Sequence, residues 1–253
     1  MSWVFALLGL VFGSFANVLV HRLPRRESIV WPGSRCPHCG AAIRWYDNLP
    51  LLSWMMLAGR CRHCAAAIGW RYPLLEGVMA LSWGGLAWHF GMQWLLLQGL
   101  VLSFLLWTLS VIDLETGLLP DALTLPGMAA GLLLAWSTGR LQDCLLGMLA
   151  GYGLFWLIGW LYLKATGQEG MGHGDYKLLA MLGAFLGWQA LPFIIFFSSL
   201  TGAVVGGLVL MRRGAGWRAE LPFGPYLAAA GMIWFVWHDS LLNWYLGWMA
   251  PVP

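Results

Sequence analysis

The chain has 253 residues, of which 60% are hydrophobic and only 10% charged, and its mean hydropathy is +0.70. Soluble domains carry about 25% charged and about 45–50% apolar residues, so the composition excludes an ordinary soluble domain and describes a polytopic membrane protein. The net charge of +3 is uninformative as a total, but the placement of the charges is not, and the 18 tryptophans suit a protein with many membrane interfaces.

Residues 3–20 form the first expected span. Gly9, Gly13 and Asn17 recur at one-turn spacing and make one face small and polar, as close helix packing requires. The run ends in His21-Arg22-Leu23-Pro24-Arg25-Arg26, a basic cluster that stays in the cytoplasm and puts the N-terminus outside. Because these charges follow the apolar run, no cleavable signal peptide is expected in Met1–Val20.

Residues 21–72 differ in composition, with Arg22, Arg25, Arg26, Arg35, Arg44, Arg60, Arg62 and Arg71 and two cysteine pairs. The one apolar run, Leu49–Ala58, is too short to cross a bilayer and is expected against its surface. The segment reads as a small cytoplasmic domain. Cys36-Pro37-His38-Cys39 and Cys61-Arg62-His63-Cys64 stand 21 residues apart, a spacing that closes a tetrahedral site for structural zinc. The alternatives are disulfides, disfavoured in a cytoplasmic loop, and a redox dithiol, which needs only one pair. His38 and His63 lie inside the knuckles, but the four cysteines already fill such a site.

Further spans are expected at about 73–90, 93–112, 121–137, 143–163, 176–191, 192–211 and 222–240, each near the length a helix needs to cross. The expected fold is therefore an all-α membrane protein of about eight transmembrane helices. Its expected parts are a first helix at 1–20, a zinc-binding domain at 21–72 and a membrane core at 73–253. With the N-terminus outside, 13 of the 14 lysines and arginines fall on the inner side and only Arg140 outside. The split near Gln189–Pro192 rests on little more than a proline. Leu241–Ala250 is apolar, rich in tryptophan and expected at the outer interface.

That parity brings two carboxylates to the same depth on the same side. Asp113 ends the third span within Ser110–Asp121, and Asp175 opens the sixth behind Gly170-Met171-Gly172-His173-Gly174. Glycines let backbone or substrate approach closely, and a carboxylate at the mouth of a membrane segment is a candidate functional group. Two aspartates held together titrate as a dyad, one charged and one neutral, which suits peptide hydrolysis. The bland alternative is a glycine-rich loop with Asp175 as a helix cap. A metal hydrolase using His173, Asp175 and Asp113 lacks an H-E-x-x-H pattern. Asp121 reads as a helix N-cap, Glu115 as solvated and Cys144 as a packing residue. Lys177 is either an interfacial anchor or orients a carboxylate, and Glu76 either has a buried partner or serves a second site.

Together these residues identify a family. Phe12-Gly13-Ser14-Phe15, Asn17, His21–Pro24, both cysteine pairs, Tyr46–Pro50, Arg71–Pro73 with Glu76, Asp113–Asp121, Gly172–Lys177 and Pro222–Pro225 resemble the type IV prepilin peptidases. These are bifunctional leader peptidase/N-methyltransferases of pilus and type II secretion systems. The resemblance implies a Gly-x-Gly-Asp membrane aspartyl protease of the bacterial inner membrane, with a periplasmic N-terminus. It would cut the basic leader of prepilins and pseudopilins on the cytoplasmic side, just after a glycine. It would then methylate the new N-terminus with S-adenosylmethionine. By position, Asp113 and Asp175 match the catalytic pair, and Cys36, Cys39, Cys61 and Cys64 the zinc ligands. The methyltransferase half rests on the resemblance alone, and no donor site can be read from spacing. The expected partners are these substrates and membrane lipid, with no nucleic acid. The competing readings are a transporter with proton-relay carboxylates and a zinc-binding regulatory domain, or a silent scaffold. A transporter should show broken helices in two related halves, and the surroundings of Asp113 do not recur around Asp175.

Overall fold

The computed structural model describes residues 1–168, 170–213 and 222–249, and among these it is all-helical, with two isolated β-bridges and no strand. The chain divides into two compact units, Met1–Ile112 and Asp113–Pro253. Among the described residues there are nine α-helices: α1 Ser2–Arg22, α2 Leu52–Met56, α3 Arg71–Phe90, α4 Trp94–Thr116, α5 Asp121–Ser137, α6 Leu141–Thr166, α7 His173–Leu186, α8 Leu191–Arg213 and α9 Gly224–Met249.

In the first unit α1 packs on α3 through its small face. A Cβ added at Gly13 would lie 2.7 Å from the Glu76 Cα, and one at Gly9 2.7 Å from the Met79 carbonyl oxygen. Only hydrogen fits there, so the two backbones meet as the spacing of Gly9 and Gly13 predicts. Phe12 and Phe15 add ring contacts with Phe104 at 5.8 and 6.2 Å, and the Trp107 indole donates to the Ser82 hydroxyl at 2.8 Å.

The cysteine segment folds as the same turn made twice. Cys36 and Cys61 each accept a backbone bond from four residues on, Gly40 and Ala65, at 2.9 Å. Each turn is closed by a bridge, Arg35 with Ala42 and Arg60 with Ala67. The sequences match as well: Arg35-Cys36-Pro37-His38-Cys39-Gly40-Ala41-Ala42-Ile43 against Arg60-Cys61-Arg62-His63-Cys64-Ala65-Ala66-Ala67-Ile68. The run Leu49–Ala58 contains only the five-residue α2, which leaves Leu52, Met55 and Met56 exposed.

In the second unit α7 is the hub. Its residues 178–186 are all buried, and α6 approaches it so closely that Gly147 and Gly183 have no room for a side chain. Cys144 is buried with its thiol toward the Phe185 carbonyl, the packing role expected of it.

Among the described residues, four segments are long and apolar enough to cross a membrane: α1, α4, α6 and Trp188–Leu208. That makes a multi-pass membrane protein. The remaining expected spans are helical but shorter or more polar. The division near Gln189–Pro192 is present as a 3-10 turn, Trp188–Ala190, between α7 and α8. The stretch from Leu241, expected at the outer interface, continues α9 as far as Met249, after a break in helical geometry at Trp237. Arg218, Leu221 and Ala250 lie outside the described residues.

Candidate active site

Asp113 sits in the last turn of α4, after Leu109 and Ile112, which are fully buried. That apolar helix carries the carboxylate to a position only 6% exposed. One backbone group meets it: the Gly224 N–H, at the start of α9, donates to Asp113 Oδ2 at 2.8 Å. A Cβ at Gly224 would lie 2.7 Å from the same oxygen. Glycine at 224 is therefore part of how the carboxylate is held.

Asp175 comes from the first turn of α7. Gly172 is the N-cap residue with extended backbone, and the Asp175 N–H donates to its carbonyl at 3.1 Å. The exposed N–H groups and dipole of a helix start favour a negative side chain there. Asp175 is not itself the cap. Its carboxylate is half-buried, and the charge of Asp113 acts on it directly. The two aspartates expected to pair lie within one unit, although 62 positions (175 − 113) separate them in sequence.

The glycines before Asp175 have separate uses. At Gly174 a Cβ would run into the Leu119 side chain at 2.8 Å, which seats the start of α7 against the α4–α5 loop. His173 packs its ring on Tyr176 at 5.4 Å, and Tyr176 is buried with its hydroxyl toward the Met171 carbonyl at 3.4 Å. Phe223, beside Gly224, stacks toward Phe155 and Tyr226 and walls the same region.

One expectation nearby needs correction. Asp121 is the first residue of α5 and not its cap, because Pro120 already supplies the extended backbone before it. Its carboxylate instead accepts a 2.6 Å ion pair from Lys177. Lys177 therefore holds a carboxylate, but one that ties the start of α7 to the start of α5. Glu115 is exposed.

In the first unit the four cysteine sulfurs lie within 4.8 Å of one another, and none is in a disulfide. Tetrahedral zinc with about 2.3 Å bonds to sulfur sets sulfurs about 3.8 Å apart, and Cys36 Sγ to Cys64 Sγ is 3.8 Å. The thiols differ in acidity. The Cys39 backbone N–H, then that of His38, draws Cys36 down to about 6. The Ala66 N–H pulls Cys64 the same way, but burial and the neighbouring thiols prevail and lift it to about 11. Asp47 lies beside this centre, its carboxyl held below the usual range by a two-pronged bond from Arg62 at 2.6–3.0 Å.

Sequence reading missed the Gly224 contact, which has no local signature. It also left Glu76 unassigned, and it read Asn17 only as part of the packing face of α1. Glu76 is 7% exposed, accepts the Leu51 N–H at 2.8 Å and is hydrogen-bonded by Ser14.

Two family models match this chain. The Bacterial Peptidase A24 N-terminal domain matches residues 7–90, and the Type IV leader peptidase family matches residues 100–207. A "Prepilin leader peptidase/N-methyltransferase" of Stutzerimonas stutzeri is 43% identical over 95% of this chain and 92% of its own length. The protein of that name from Pseudomonas aeruginosa is 45% identical over 95% of this chain and 91% of its own. The one from Neisseria gonorrhoeae is 39% identical over 95% and 93%. No solved structure matches the chain.

Proposed function

The chain belongs to the type IV leader peptidase family, and from that footing we propose that Asp113 and Asp175 cleave the leader of prepilins and pseudopilins. What supports the assignment is the placement of the two carboxylates in one unit, Asp113 held by the Gly224 N–H at the end of α4 and Asp175 in the first turn of α7. The protein is a protease with N-methyltransferase activity, as its relatives' names describe. The transporter reading has no counterpart among them.

In hydrolysis the dyad holds one proton between its two carboxyls. The charged member takes a proton from water, whose oxygen attacks the scissile carbonyl carbon. The neutral member donates a hydrogen bond to the carbonyl oxygen as charge develops there. The Gly224 N–H fixes one Asp113 oxygen, and the Lys177–Asp121 pair fixes the start of α7, so neither carboxylate has to be positioned at the moment of reaction.

Cys36, Cys39, Cys61 and Cys64 would hold structural zinc, which ties two short turns that build no core of their own. S-Adenosylmethionine supplies the methyl group for the new N-terminus. The wider reading is about eight spans in the bacterial inner membrane with a periplasmic N-terminus. Both aspartates then lie at the cytoplasmic interface, where a prepilin with a basic leader and an apolar stem presents its scissile bond.

The test is prepilin cleavage in detergent by Asp113→Asn and Asp175→Asn. Each is expected to lose cleavage by a factor of about 10³ or more while staying inserted and keeping its zinc. Appreciable cleavage by either variant would remove that residue from the dyad.

A further inference from the structure

The first unit contains a cavity of about 350 Å³ walled by α1, α3 and both cysteine turns. Small-molecule pockets run about 300–1,000 Å³. None of its lining residues belongs to the aspartate pair, which lies in the other unit.

Two buried acceptors stand on its wall. Asn17 is 3% exposed; its amide nitrogen donates to the Tyr72 carbonyl at 3.1 Å and the Gly13 carbonyl at 3.3 Å, while its Oδ1 is buried with no partner. Glu76, one turn past Tyr72 on α3, is also buried, and the Leu51 N–H and Ser14 hydroxyl that hold it are both neutral. Three arginines share the wall; Arg35 is exposed, and the other two are committed. Arg22 donates to the Ser28 and Pro32 carbonyls at 2.8 and 2.7 Å, and Arg62 to Asp47. An unpartnered acceptor and a buried carboxylate on one wall are complementary to a cationic ligand.

The N-methyltransferase reading requires one such ligand, a sulfonium. We propose that this cavity is the methyl-donor site, with Glu76 and the Asn17 amide oxygen facing the positive sulfur of S-adenosylmethionine. The assignment rests on that reading and gives it a location. In the transfer the lone pair of the new N-terminal amine bonds to the methyl carbon. The carbon–sulfur bond breaks with its electrons left on sulfur, and the amine releases a proton to water. Glu76 and Asn17 are binding groups for the charge that disappears in this step. The product, S-adenosylhomocysteine, carries no charge on sulfur and should lose less when these groups are changed.

Binding of both compounds to the zinc-loaded, full-length protein in detergent, measured by titration calorimetry, tests this. Glu76→Gln and Asn17→Leu are each expected to weaken S-adenosylmethionine at least about tenfold and S-adenosylhomocysteine much less. Equal affinity for the donor in parent and variants would overturn the site. Equal losses for both compounds would overturn the role of charge. Photolabelling of the unaltered parent with an azido-adenosyl analogue does not depend on the variants folding. Label on peptides within residues 14–76 is expected, and label confined to other peptides would overturn the location. A parent that cleaves prepilin but neither binds nor transfers a methyl group would instead sink the methyltransferase reading.

Discussion

Gly224 shows how one residue can set a catalytic group without carrying any chemistry. Its N–H holds Asp113 Oδ2 at 2.8 Å, and a Cβ would come to 2.7 Å from that oxygen. Gly224→Ala is expected to displace the carboxylate and lower kcat for prepilin cleavage about 100-fold, with zinc content unchanged. Assays of cleavage and metal on one preparation check both, and near-parental kcat would show that Asp113 is held by other contacts. This contact was not legible in the sequence, because 111 positions separate its partners and nothing local says that they meet. The cysteines were legible for the opposite reason, since a metal site imposes its spacing on neighbouring residues. Even there a signal was overlooked, the repeat of Arg35–Ile43 in Arg60–Ile68. At the position where the first turn has Gly40, at φ +69°, the second has Ala65 at φ +55°. A left-handed backbone costs a residue with a Cβ about 1–2 kcal/mol.

At the scale of elements, the small residues of α1 were the most informative stretch. Gly9 and Gly13 predicted a close partner without naming it, and the partner is α3. Gly13→Leu places its side chain against the Glu76 backbone, which cannot rotate away. A loss of about 1–3 kcal/mol is expected, as for other overpacked cores, read as a lower unfolding midpoint in denaturant. An unchanged midpoint would mean that α1 does not need to touch α3. Helix ends were less legible. Asp121 resembles a cap by type and position, but Pro120 had already set the backbone and Lys177 took the carboxylate from 56 residues away. Local preference yields where a distant charge offers a better bond.

For the whole molecule, the family and the all-helical class follow from composition and dispersed motifs, while the number of crossings does not. Four segments qualify by length and composition, and the eight-span scheme depends on the parity of basic loops. Phosphatase fusions separate the two. Alkaline phosphatase is active only outside the cytoplasm, so a fusion after Gly139 is expected to be active and one after Gly167 inactive. The reverse pattern, or equal activities, would dismantle the scheme. The length of α7 has a further consequence. Its 14 residues rise about 21 Å at 1.5 Å each, against a hydrocarbon layer about 30 Å thick. Residues 178–186 are buried by their neighbours, so that difference in length is met by protein and not by lipid. Hydrolysis consumes a water molecule at every turnover, and Asp175, at the start of α7 and only half-buried, takes it from that end of the helix with no channel needed through the protein.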